Sequence, residues 1–298
     1  MFRTILLLLV VLFVNVVVVF AQDDDVIRTN TDLVVLNITV TDKGGQYAKG
    51  LKASDFKVFE DGVEVKPDMI ASFSLQESPY AAVVLLDSSG SMEERFSLAR
   101  SAAIRFLDGL RDEDVAAVYR FDSKVERVQE FSGGRDLAPI AYAIHAKGMT
   151  TLNDAIVEAS KTLADRPEVR KAIVVLSDGM DTYSKASSDK AVESALAVGA
   201  SIYAVDMSSV EVGGRRQSAL SLKGFADKTG GKFVATPGGP ALRDAFTGIA
   251  DELGHQYTLS YRPVNQKRDG KWRTLEVKLV GRDDLSVRTR KGYRAPKR

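Results

Sequence analysis

The 298-residue sequence contains no cysteine and two histidines, His145 and His255. Disulfide frameworks, thiolate zinc sites, cysteine nucleophiles and a lipid-anchored cysteine are thereby excluded, and histidine-rich metal centres have almost no raw material. An excess of either charge is missing too. Lys and Arg number 41 against 40 Asp and Glu, a net charge of +1, so the chain as a whole offers no electrostatic case for nucleic acid. It has no Gly-x-Ser-x-Gly nucleophile elbow and no Walker phosphate loop. What remains is 45% hydrophobic, the composition of a globular protein with room for two domains of ordinary size.

One long hydrophobic run is present, Ile5 to Phe20, broken only by Asn15 and preceded by Arg3. Val19-Phe20-Ala21 supplies a cleavage-site pattern, so residues 1–21 are predicted to be a signal peptide with Gln22 the first mature residue. The alternative is an uncleaved anchor, since the run is nearly long enough to span a bilayer. Either reading puts the rest of the chain outside the cytoplasm, secreted or periplasmic. A cysteine-free exported protein suits a bacterial envelope.

The mature chain changes grammar twice. Residues 22–77 read as short strands: Val34, Leu36, Ile38 and Val40 alternate, runs follow at Phe56 to Phe59 and Ile70 to Leu75, and Asp61-Gly62 is a turn signal. Residues 256–298 return to alternation at Tyr257, Leu259, Tyr261 and at Leu275, Val277, Leu279, with a last strand from Leu285 to Thr289. Asp269-Gly270 reads as a hairpin turn between the first two of these. Residues 78–255 differ. Continuous apolar runs at Ala81–Leu86 and Ala172–Ser177 read as strands buried on both faces. Between and after them lie strands at Val115–Phe121, Val125–Phe131, Ser201–Asp206 and Lys232–Ala235. Helices are expected near Phe96–Leu110, Leu137–His145, Leu152–Leu163, Ser188–Val198, Ala219–Lys228 and Leu242–Leu253. This alternation predicts an α/β fold with a doubly wound, mostly parallel sheet. The two β stretches together have enough residues for one small β-sandwich interrupted by the α/β domain. Two independent β appendages are the alternative.

Ligands in open α/β sheets collect at the carboxyl ends of strands, beside the point where strand order reverses. Three segments place oxygen-bearing residues at such ends: Asp87-Ser88-Ser89-Gly90-Ser91, Gly148-Met149-Thr150-Thr151, and Ser177-Asp178-Gly179. Together they offer two carboxylates and several hydroxyls without nitrogen or sulfur, an inventory for a hard cation, Mg2+ with retained waters, Mn2+ or Ca2+. Each segment alone has a structural explanation. Ser91-Met92-Glu93-Glu94 and Thr151-Leu152-Asn153-Asp154 both spell a helix capping box, and Asp178-Gly179 a simple turn. Their joint occurrence, each after the right kind of element, favours the metal reading.

That constellation resembles the von Willebrand factor type A domain, a Rossmann-like fold, over residues 78–255. Asp87-x-Ser89-x-Ser91 looks like the first segment of its metal-ion-dependent adhesion site, Thr150 matches the threonine segment, and Asp178 the third. Met149 departs from the glycine often found there, and Thr151, the neighbour that competes with Thr150, is assigned to the capping box. The flanks, with Asp55-Phe56-x-Val58-x-Glu60-Asp61-Gly62 before and Gln256-Tyr257-x-Leu259-x-Tyr261 after, resemble a bacterial secreted subgroup. The resemblance implies that Ser89, Ser91 and Thr150 give hydroxyl oxygens to the ion while Asp87 and Asp178 bind directly or through water. It further implies a protein-binding module, not an enzyme, in which a partner's Glu or Asp fills an open coordination position. The competitors are a metal-dependent hydrolase, for which His145 beside the threonine loop is the only base in view, and a structural envelope protein with a vestigial metal site. Arg215 and Arg216, in the loop expected after Asp206, are candidates for steering an acidic partner. Asp181 is either a support for the metal site or a plain loop acid. The basic C-terminal run from Arg288 to Arg298 reads as a solvated strand face and tail.

Overall fold

The computed structural model describes residues 33–74, 78–133, 148–208, 215–236 and 239–297. The expected signal segment, the expected helix containing His145, and the loop over residues 209–214 lie outside the described residues. Among those described, no helix is long and apolar enough to cross a membrane.

The α/β part begins with β5 (Tyr80–Asp87), whose eight residues are all buried. A 3-10 turn over Gly90–Arg95 leads into α1 (Phe96–Asp108). Then follow β6 (Val115–Phe121), β7 (Val125–Ser132), α2 (Leu152–Ala164), β8 (Arg170–Ser177), α3 (Ser188–Ala197), β9 (Ala200–Asp206), α4 (Arg215–Thr229), β10 (Phe233–Ala235) and α5 (Gly239–Gly254). The sheet order is β10-β9-β8-β5-β6-β7. All neighbours are parallel except the β6–β7 hairpin at the edge. Strand order reverses at β5, because the chain first adds β6 on one side and later β8 on the other.

Both faces of this sheet are covered, which is why its central strands carry no polar–apolar alternation. Val84, Leu86, Val174 and Leu176 pack with Phe106 of α1 and Phe246 of α5. Val83, Leu85, Ile173 and Val175 pack with Ile156 of α2, Val192 of α3 and Phe225 of α4. Close strand-to-loop packing needs glycine at Gly231, where an added Cβ would lie 1.9 Å from the Ile202 carbonyl oxygen.

The remaining strands are β1 (Val34–Asp42), β2 (Phe56–Glu60), β3 (Val63–Glu64), β4 (Ile70–Ser74), β11 (Tyr257–Tyr261), β12 (Trp272–Leu279), β13 (Leu285–Arg288) and β14 (Gly292–Arg294). They form two four-stranded sheets, β13-β1-β11-β4 and β14-β12-β2-β3. Strands from before residue 78 pair with strands from after residue 255 in both: β1 with β11 and β13, β4 with β11, β2 with β12. Leu36, Ile38, Phe56, Val58, Tyr257, Leu259 and Leu275 share one core between them. Asp61 and Gly62, at φ 50° and 80°, make the left-handed two-residue turn of the β2–β3 hairpin.

The structure corrects several local expectations. Asp269-Gly270 does not turn a hairpin, because β11 and β12 belong to different sheets. Arg215 and Arg216 open α4 instead of lying in a loop. The helix starts before its apolar periodicity becomes visible, since a first turn needs no buried side chains. Neither capping box forms. Ser91 lies inside the 3-10 turn, and Thr151 makes no side-chain cap bond to α2.

Candidate metal centre

The continuous apolar run of β5 delivers Asp87 to the carboxyl edge of the sheet, at the strand-order reversal and with 0% exposure. The chain then turns sharply. Asp87 Oδ1 accepts from the Ser89 amide at 2.9 Å, and the Ser89 and Ser91 hydroxyl oxygens lie 3.1 Å apart. Ser88 points elsewhere, its amide and hydroxyl both donating to the Phe121 carbonyl. The Asp-x-Ser-x-Ser spacing therefore puts its three chemical residues on one side of the turn. Ser89 is buried and Ser91 exposed.

The third segment reaches the same place from the neighbouring strand. Ser177, the last residue of β8, donates its hydroxyl to Asp87 Oδ2 at 2.5 Å and accepts from the Gly179 amide at 2.9 Å. Asp178 follows, 7% exposed, its Oδ1 accepting from the Met180 amide at 3.3 Å. Its charge acts on Asp87. Burial pushes the Asp87 carboxyl up to about 6, the hydrogen bonds from Ser177 and Ser89 oppose that rise, and Asp178 adds to it.

The threonine loop is fastened on both sides. The Gly90 amide donates to the Gly148 carbonyl at 3.2 Å, bringing the loop against the first segment. The Thr150 amide donates to the Thr182 hydroxyl, and the Thr182 and Tyr183 amides both donate to the Thr150 carbonyl, all at 3.0 Å. Asp181 accepts from the Asn153 amide at 2.7 Å and from the Ser184 amide at 3.1 Å. Asp154 accepts from the Lys185 and Ala186 amides at 3.0 and 2.8 Å. The loop after Asp178 thus caps the start of α2, and the Thr150 and Asp178 segments behave as one unit. Thr151 turns away, its hydroxyl donating to the Asp122 carbonyl at 2.9 Å.

Asp87, Ser89 and Ser91 are thus in direct contact or one hydrogen bond apart. Asp178 sits close enough to bear on Asp87, and the Thr150 loop abuts Gly90. No described hydrogen bond joins the Thr150 hydroxyl to the other four residues. Arg215 and Arg216 are placed by backbone alone, in the first turn of α4. His255 follows α5 and stacks on Tyr47 of the sandwich, with ring centroids 5.0 Å apart. Sequence reasoning gave no role to Ser177 or Thr182. Alternation along β8 was the available signal for Ser177, since Ile173, Val175 and Ser177 share the face of Asp87. Nothing local marked Thr182.

Among the described residues, no Lys or Arg pairs with Asp87 or Asp178, and no three His, Asp or Glu cluster at metal-binding spacing. The donor set is therefore two carboxylates and three hydroxyls. A buried carboxylate with a second one beside it and no cationic partner fits a hard divalent ion, which would neutralise both while keeping waters.

The family model described as von Willebrand factor type A domain matches residues 82–180, a span holding all five candidate ligands. No curated protein matches the chain. Three solved structures are similar at low identity. A von Willebrand factor type A protein from Catenulispora acidiphila is 13% identical, covering 84% of this chain and 76% of its own, with a TM-score of 0.49. The PilB minor pilin from Streptococcus sanguinis is 16% identical, with 61% and 63% covered and a TM-score of 0.44, so the chain spans less than two thirds of that pilin. The von Willebrand factor domain of the type V pili tip protein Mfa5 from Porphyromonas gingivalis is 14% identical, with 59% and 95% covered and a TM-score of 0.46.

Proposed function

Residues 82–180 of this chain are a von Willebrand factor type A domain, and we propose that the domain holds a divalent cation and uses it to bind another protein outside the cytoplasm. Mg2+ is the favoured ion, with Mn2+ and Ca2+ as substitutes. Ser89, Ser91 and Thr150 would give hydroxyl oxygens, with Asp87 and Asp178 binding directly or through water. The observation that carries this reading is the buried Asp87, which has hydroxyl and amide donors, a carboxylate neighbour and, among the described residues, no cationic side chain.

Hydroxyl ligands leave much of the ion's charge uncompensated. A Glu or Asp of the partner would gain a charge-assisted bond by supplying what is missing, beside an Asp87 that is fully buried. Binding is the reading we favour over turnover; His255 is engaged with Tyr47 and Asp251, and His145 lies outside the described residues.

Thermal unfolding with added Mg2+ or Mn2+ tests the metal. At one hundred times the dissociation constant, stabilisation should reach about 2.7 kcal/mol, and Asp87→Ala should abolish it. An unchanged response in that variant moves the metal elsewhere. Comparing pull-downs from envelope extract with and without chelator then tests partner capture.

A further inference from the structure

Ten large hydrophobic side chains are exposed among the described residues, and three of them lie on the loops that carry Thr150 and Asp178: Met149 at 54%, Met180 at 47% and Tyr183 at 57%. They come from two loops joined into one unit. Met149 precedes Thr150, Met180 lies two residues past Asp178, and the Tyr183 amide donates to the Thr150 carbonyl. The backbone beneath them is anchored by Thr182, Asp181 and Asp154. An apolar patch held on a rigid base is what a docking surface requires, because little ordering cost remains to be met on binding.

The first segment carries charge instead. Glu93 and Glu94, on the turn after Ser91, are exposed and make no ion pair among the described residues. A partner carrying several acids would meet repulsion there, whereas a single carboxylate directed at the cation would not.

Building on the metal-dependent binding proposed above, we propose that Met149, Met180 and Tyr183 form an apolar collar that selects the partner: a protein segment with one Asp or Glu directly beside aliphatic or aromatic residues. The carboxylate completes the cation's coordination while its apolar neighbours cover the two methionines and the tyrosine ring. Methionine adapts its shape to varied side chains, so the collar reads the apolar class more than a single residue.

The test is a random, cysteine-free peptide library displayed on phage, selected on the full described protein in Mg2+ and again in EDTA. Expected are magnesium-dependent sequences with a lone acid flanked by Leu, Ile, Phe, Trp or Met. Their affinity should fall about tenfold in the triple variant Met149→Gly, Met180→Ser, Tyr183→Ser. All three side chains are exposed, so this variant should keep the wild-type melting temperature in EDTA and the wild-type shift on adding Mg2+. Selected acids with glycine or serine neighbours, polyacidic sequences, no magnesium-dependent sequence at all, or unchanged affinity in the variant would each overturn the collar. So would magnesium-dependent self-association that the variant removes, since the occupant would then be a second copy. The magnesium shift of the wild type separates the two levels. If it is absent, the metal reading itself fails; if it is present and the selection fails, only the collar does.

Discussion

Replacing Asp87 by Asn should move stability in opposite directions with and without metal. In the folded, metal-free protein the Asp87 carboxyl sits at about 6 against an ordinary 3.8, chiefly through burial. A raised carboxyl means that the folded state holds more protons than the unfolded chain between those two values. Stability therefore falls as pH climbs through that window, and the loss persists above it. The gap corresponds to ~3 kcal/mol, withheld from the folded state at pH 8. Asp87→Asn removes the charge yet keeps an acceptor for the Ser89 amide and places a donor beside Ser177. In EDTA at pH 8 the variant should melt on the order of 5–10 °C above the wild type. At pH 4 the two should converge, because the wild-type carboxyl is then neutral. With saturating Mg2+ the order should reverse, since only the wild type can use the ion. Scanning calorimetry from pH 4 to 8, in EDTA and in Mg2+, reads all three outcomes. A variant less stable than wild type in EDTA at pH 8 would refute the account of Asp87 as a buried charge awaiting a cation.

Asp181→Ala leaves the Asn153 and Ser184 amides without their acceptor, which should cost ~1–2 kcal/mol and weaken Mg2+ binding about tenfold through the displaced threonine loop, read by urea unfolding and metal titration. Glu252, buried in α5, receives the Tyr203 hydroxyl at 2.8 Å and the Arg288 guanidinium at 2.5 Å; Glu252→Gln should lose ~1 kcal/mol, because Arg288 loses its charged partner but keeps the Gly230 and Gly231 carbonyls, while leaving the Mg2+ shift unchanged. Gly231→Ala should destabilise by more than about 3 kcal/mol, because its methyl would overlap the Ile202 carbonyl; a near-neutral urea midpoint would show that the chain relaxes there at no cost.

Hydrophobic period carried most of the fold. The unbroken runs ending at Asp87 and Ser177 announced strands covered on both faces, and the Val34–Val40 alternation announced one covered on a single face. What failed were local patterns whose actual partners are distant in sequence, and the start of α4. Ser91 to Glu94 and Thr151 to Asp154 spell capping boxes, yet the Thr151 hydroxyl goes to Asp122 and the Asp154 carboxylate to Lys185 and Ala186. The same letters satisfy a local cap or a remote amide, and the local pattern cannot tell which. Asp269-Gly270 misled for a related reason, since sheet membership is decided by non-local pairing. Asp87, Ser89, Ser91 and Asp178 could be picked as candidate ligands because they sit at the marked ends of β5 and β8, and Thr150 because it sits just before α2. The Asp181–Thr182 fastening was not, because it consists of amides and carbonyls that every residue carries.

Sandwich strands β4 and β11 lie side by side, although the whole α/β domain is threaded between them. In effect that domain is the loop of a single antiparallel hairpin, mounted on two strands instead of one. Under the proposed function, a pull on the α/β domain would be passed to β4 and β11 together, so tension would divide between two paired strands.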